Sequence, residues 1–162
     1  MGHEVKLRDR DATLVVSTRR SVRVSEIGAV LGRAFGEVYG YLGATTVESN
    51  GPPFVIYHGA PVGDELFDIE ICAPVTRPVG APAGWQMQEL PAGAFVTLLH
   101  VGPYDSIGAA YGTVAAWIDS HELVVAGPPR EVYLSEPETP PDQVKTVIEF
   151  PVTAQPAPLA SR

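Results

Sequence analysis

The chain has 162 residues, 45% hydrophobic and 19% charged, enough for one domain or two small halves sharing a core, and not the composition of a disordered protein. Its formal net charge of −8 argues against nucleic-acid binding, which wants a basic face, and favours the approach of cationic ligands. A single cysteine, Cys72, excludes an intrachain disulfide; with no signal-peptide pattern and no apolar run approaching about eighteen residues, a cytoplasmic protein with no membrane contact is expected.

Residues 1–11 are polar and read as a frayed tail, although Val5 and Leu7 could begin a strand. Ala12 to Thr18 is rich in β-branched residues and reads as a strand. The basic cluster Arg19, Arg20 and Arg23 that follows reads as a solvated connection, since no glycine cradle accompanies it to hold a phosphate. Ser25 is placed to cap a helix in which Ile27, Leu31, Ala34, Phe35, Val38 and Leu42 form one apolar stripe. Gly28, Gly32, Gly36 and Gly40 fall four apart on that helix. Each weakens a helix by about 1 kcal/mol relative to alanine, so four in register suggest close approach to a sheet or a second helix. Gly43 supplies the stop.

Residues 53–58 follow as a strand after Gly51-Pro52-Pro53. Then comes Phe67 to Ala73, with Phe67, Ile69 and Ile71 on one face and Asp68, Glu70 and Cys72 on the other. Cys72 has apolar neighbours and reads as a buried small residue rather than a nucleophile. Residues 76–84 form a Pro- and Gly-rich linker. Beyond it, Trp85 to Leu90 alternates as an edge strand, Pro91-Ala92-Gly93 turns, and Ala94 to Val101 is a strong strand. Asp105 or Ser106 can cap a second helix, whose stripe of Ile107, Ala110, Tyr111, Val114, Trp117 and Ile118 reads as core. His121 sits in its last turn, where a partial positive charge is favoured. A strand around Glu131, a Pro-rich acidic loop and a last strand from Val144 to Val152 follow. The tail from Ala154 reads as flexible.

Two stretches repeat one another. Gly127-Pro128-Pro129 and Gly51-Pro52-Pro53 each lead into a short strand, so Tyr133 falls opposite Tyr57, and Glu131 opposite Val55, at an offset of 76 residues. Each copy then reaches a Pro-Val-Thr end, at Pro74 and at Pro151. Two copies mean a duplicated supersecondary unit, since a solenoid needs at least about three repeats to bury a core. The fold class is therefore α+β. Two tandem β-α-β-β units, residues 12–76 and 85–153 of one domain spanning 12–153, form a mostly antiparallel sheet with two long helices on one face. The other face is expected to receive Glu131 and Tyr133, which alternation places side by side, and to form a pocket by curvature. Glu70 is a secondary pocket candidate, because the twin strand carries Glu149, although counting back from the prolines puts Cys72 opposite that residue. A metal site is not expected: His3, His58, His100 and His121 are scattered, and no cofactor motif is present.

Leu99-His100-Val101-Gly102-Pro103-Tyr104, Gly127-Pro128-Pro129-Arg130-Glu131-Val132-Tyr133-Leu134 and Thr146-Val147-Ile148-Glu149-Phe150-Pro151-Val152 resemble the GyrI-like small-molecule-binding superfamily. That family includes effector-binding domains of multidrug-responsive bacterial transcription regulators, a gyrase-inhibitory protein and stand-alone members. The resemblance covers about residues 12–153 and is most specific at the Glu-Val-Tyr-Leu strand. It implies an aromatic pocket between the units and a pocket glutamate that meets lipophilic cations, which by motif position is Glu131 with Tyr133 beside it. Tyr57, Trp85, Tyr104 and Phe54 are candidates to complete the aromatic lining. Some members similar in sequence hydrolyse cyclopropane-bearing electrophiles. Two departures stand out: Glu122 follows His121 where a glycine is expected, and only about a dozen residues precede the first strand, too few for a helix-turn-helix.

Three functions follow. The first is a stand-alone sensor or sequestering module for lipophilic cations, which the aromatic rings and a desolvated carboxylate would hold together. The second is a hydrolase with Glu131 as general base and Tyr133 orienting water or leaving group. Binding ranks higher because no Ser/His or Cys/His constellation is evident. A protein–protein inhibitor, with a protein partner, ranks last because the acids are spread along the chain rather than grouped.

Overall fold

The computed structural model describes residues 4–60 and 62–156; His3 and the tail beyond 156 lie outside the described residues. Among the described residues there are nine strands: β1 (Lys6–Arg10), β2 (Thr13–Val22), β3 (Phe54–Tyr57), β4 (Phe67–Pro74), β5 (Gln86–Leu90), β6 (Gly93–Val101), β7 (Leu123–Val125), β8 (Arg130–Tyr133) and β9 (Lys145–Ala154). The two apolar stripes form helices α1 (Ile27–Ala44) and α2 (Ile107–Ser120). All pairings are antiparallel, in the order β1-β6-β9-β8-β3-β4-β2-β5, with β7 on the end of β9. The result is a curled α+β sheet carrying two long helices. No helix among the described residues is long and apolar enough to cross a membrane.

The opening segment is not a frayed tail. Lys6–Arg10 pairs with β6, and β5, the corresponding leading strand of the second half, pairs with β2. Each leading strand thus covers the edge of the other half, which leaves neither β2 nor β6 with an unpaired row of backbone groups. Arg19 and Arg20 likewise belong to a strand rather than a connection, opposite Glu70 and Ile69 of β4. The centre of the sheet is the β3–β8 pair, with Phe54 opposite Val132, Val55 opposite Glu131 and Ile56 opposite Arg130.

Residues directly opposite on antiparallel strands share a face, so this register assigns the two faces. Helix α1 packs Ala34, Val38 and Leu42 on Val16, Ile69, Ile71 and Val55. Helix α2 packs Val114 and Ile118 on Val96, Leu98 and Ile148. Glu131 lies between Val55 and Ile148 and therefore on the helix-bearing face, not the opposite one. The expected placement fails because the helices part over the middle of the sheet and leave Tyr57 of β3 and Glu131 and Tyr133 of β8 between them.

The glycines of α1 also depart from expectation. A side-chain carbon at Gly28, Gly32, Gly36 or Gly40 would meet nothing within 4 Å, so none marks a close approach; Gly32, Gly36 and Gly40 are exposed, and Gly28 borders the gap between the helices. Neither helix start carries a side-chain cap from Ser25, Asp105 or Ser106. Short 3-10 turns, Val24–Glu26 and Tyr104–Ser106, lead in instead, and Glu26 Oε1 accepts the Arg23 N–H at 2.9 Å. Helix α1 stops beyond Gly43, at Thr45 with Thr46 at a φ of +53°. At the end of α2, Glu122 takes the left-handed conformation, φ +58°, that a glycine would occupy at lower cost.

Candidate functional site

The gap between the helices is a cleft of about 1190 Å³. Its floor is Tyr57 of β3, Glu131 and Tyr133 of β8 and Phe150 of β9. Leu31 and Phe35 of α1 and Ile107 and Tyr111 of α2 form its walls, and Tyr104 stands at the mouth. Strand alternation aims Tyr57, Glu131 and Tyr133 into the same space. The walls come from the N-terminal halves of the two helical stripes.

Glu131 is 9% exposed. The Tyr111 phenol donates to its Oε2 at 2.5 Å and the Tyr133 phenol to its Oε1 at 3.1 Å. Tyr57 and Tyr133 oxygens are 2.6 Å apart; since Tyr133 gives its proton to the carboxylate, Tyr57 donates to Tyr133. Burial pushes the Tyr57, Tyr111 and Tyr133 phenols up from their ordinary value, and the nearby Glu131 charge pushes the same way. Tyr104 is raised by burial as well. These phenols therefore remain donors, and the acid expected to wait without a partner is held by two of them. Around this network the rings meet edge to face, Tyr104 and Tyr133 at 6.1 Å and Tyr111 and Phe150 at 5.7 Å between centroids. No Lys, Arg or His lines the cleft among the described residues, whereas Asp105 and Glu136 add acid at its mouth.

Of the residues singled out in the sequence, the structure brings together Glu131, Tyr133, Tyr57 and Tyr104. The other three lie elsewhere. Phe54 is out of phase with Val55 and Tyr57; its ring lies on the helix-free face, beneath the Arg130 guanidinium at 5.1 Å. Glu70 also points to that face, where His58 Nε2 lies 2.9 Å from Oε1 and Gln88 Nε2 donates to Oε2 at 2.5 Å. Trp85 packs into the α1 core and donates its Nε1–H to Glu37 Oε1 at 2.7 Å. Conversely, Tyr111, Phe35 and Phe150 had no signal beyond membership of an apolar stripe or strand. Helical periodicity says which side of a helix is buried, but not whether it meets a sheet or a cleft. No group of three or more His, Cys, Asp and Glu side chains is placed to hold a metal ion among the described residues.

A model of the family described as "GyrI-like small molecule binding domain" matches residues 3–153. Among solved structures, the C-terminal domain of EcmrR is similar with a TM-score of 0.83 at 24% identity, covering 95% of this chain and 99% of that one. A hydrolase from Listeria innocua gives 0.68 at 11% identity, covering 94% and 93%. SAV2435, solved bound to tetraphenylphosphonium, gives 0.61 at 14% identity, covering 93% and 94%. At these identities the likeness shows a shared fold. No curated protein matches in sequence.

Proposed function

Because this chain belongs to the family of GyrI-like small molecule binding domains, we propose that its cleft takes lipophilic cations of the multidrug type, in the cytoplasm, as a sensor or sequestering module. The observation that carries this reading is a buried carboxylate on the floor of an aromatic cleft that no basic residue lines among the described residues. Two opposite charges about 4 Å apart interact by roughly 4 kcal/mol at an effective dielectric of 20, against about 1 kcal/mol in water. Ring faces such as those of Tyr57, Tyr104 and Tyr133 each add about 0.5–2 kcal/mol with a cation and tolerate many ligand shapes. The tetraphenylphosphonium held by SAV2435, which shares the fold, is a ligand of this chemical class.

A titration with a rhodamine-type cation and a neutral dye of similar size tests the reading. The cation is expected to bind wild type in the micromolar range, about −8 kcal/mol at 1 μM. Glu131→Gln keeps the shape and removes the charge, so the cation should lose roughly 1–3 kcal/mol and the neutral dye little. Equal losses for both dyes would show that the glutamate acts structurally.

The phenol–carboxylate pair of Tyr133 and Glu131 also suits hydrolysis of a cyclopropane-bearing electrophile, with Glu131 activating water. Binding is the better reading, because both carboxylate oxygens already accept from phenols and no Ser/His or Cys/His pair lines the cleft among the described residues. Ring-opened product formed by wild type and lost in Glu131→Gln would reverse that preference.

A further inference from the structure

The part of the helix-free face formed by β1, β6, β8 and β9 has a charge pattern opposite to that of the whole molecule. On β1, β6, β8 and β9 it bears Lys6, Arg8, Arg10, Arg130 and Lys145 against one carboxylate, Glu149, by the register of those strands. Glu149 is 3% exposed and is held by Arg10, while Arg130 lies over the Phe54 and Phe95 rings at 5.1 and 4.5 Å. Lys6 and Arg8 are exposed and have no carboxylate within ion-pair distance among the described residues.

Lys6, Arg8 and Arg10 also belong to an edge strand. One side of β1 pairs with β6, and no strand lies on its other side among the described residues. The backbone donors and acceptors on that side are open to pairing. Alternate residues of a strand stand about 6.6 Å apart, so acids on every second residue of an added strand fall in step with Lys6 and Arg8, while Arg10 at the end of the row already holds Glu149. On the other face of β1, Leu7 is 51% exposed beside the α2 core and offers an apolar contact.

We propose that β1 is a docking edge for an extended acidic segment of a partner protein, with carboxylates alternating with apolar side chains. A second copy of β1 would bring like charges face to face, so the pattern that admits an acidic strand repels self-pairing. Single-stranded nucleic acid fits less well. The Phe54 and Phe95 rings of this face are buried under Arg130 and offer no stacking surface for bases.

The test uses the full chain, fluorescence anisotropy at low ionic strength, and a capped, labelled Glu-Val-Glu-Val-Glu peptide. Wild type is expected to bind it, more weakly in about 0.5 M salt, where screening acts within about 4 Å. An exposed ion pair is a factor of up to about five, so Lys6→Glu with Arg8→Glu should weaken binding by about tenfold or more. The doubly reversed variant should instead gain affinity for Lys-Val-Lys-Val-Lys over wild type, an outcome that a misfolded variant would not produce. A Glu-Glu-Val-Val-Glu peptide, with the same composition but no alternation, should bind less well. Failure of wild type to bind the alternating peptide overturns the proposal, as does unchanged binding by the reversed variant, equal binding of the non-alternating peptide, or tighter binding of an oligothymidylate.

Discussion

The Glu131 carboxylate in its apolar cleft accepts hydrogen bonds from the Tyr111 and Tyr133 phenols, with Tyr57 donating in turn to Tyr133. The pairing of Glu131 with Tyr133 is legible in the sequence, since residues two apart on a strand share a face. Tyr111 comes from a helix 20 residues earlier, and only the crossing of α2 over the sheet brings it there. The network ties stability to alkaline pH. The phenols of Tyr57, Tyr111 and Tyr133 are raised above 10.0 in the folded chain, and burial pushes Tyr39 up to about 12. Above pH 10 the unfolded chain loses phenol protons that the folded chain retains, so stability is full below that pH and falls as pH rises toward the folded values. Urea denaturation at increasing pH should show a falling midpoint, and a midpoint that stays level from about pH 9 to about pH 11 would contradict the burial of these phenols. Tyr111→Phe keeps the ring against Phe150 but removes one donor from a buried carboxylate, a loss of about 1–3 kcal/mol that should lessen when Glu131→Gln is added.

At the scale of the element, α1 is legible in its apolar stripe and misleading in its glycines. Ala34, Val38 and Leu42 are buried as the period requires, yet the glycines four apart face solvent with open space around them. Four glycines in a helix without close packing make it weaker than its length suggests. Gly36→Ala is therefore expected to stabilise the protein by about 0.5–1 kcal/mol, measured by urea denaturation. Leu42→Ala on the opposite side should destabilise it by about 2–5 kcal/mol. A destabilising Gly36→Ala would mean that this face is covered in solution.

Over the whole molecule, the organising feature is the exchange of leading strands, which puts Arg10 of β1 on Glu149 of β9. Arg10 is 41% exposed and Glu149 almost fully buried, so the contact is part surface pair and part compensation for a buried charge. Arg10→Met keeps much of the stem and removes the charge. It should destabilise the fold by about 1–3 kcal/mol, the lower part of the range for breaking a buried pair, because Arg130 lies opposite Glu149 and solvent reaches Arg10. Thermal melting should show a fall of about 2–4 °C per kcal/mol, largely recovered when Glu149→Gln is added.

The sequence by itself determined both helices, every strand except β1 and β7, the α+β class, and the shared face of Glu131 and Tyr133, because these rest on local periodicity and on spacing along a single strand. It left Lys6–Arg10 as a tail, since a segment with four charged residues of five becomes a strand only when an unpaired edge such as that of β6 lies beside it. It placed Phe54, Glu70 and Trp85 with the pocket and Tyr111, Phe35 and Phe150 with the core. Which face of a sheet carries the helices, and where two helices part, depend on contacts between segments tens of residues apart. The β3–β8 register puts Val55 opposite Glu131, so one carboxylate lies at the centre of the sheet, and the gap between α1 and α2 lies directly above it. That coincidence of register and helix placement makes the cleft, and only the tertiary structure decided it.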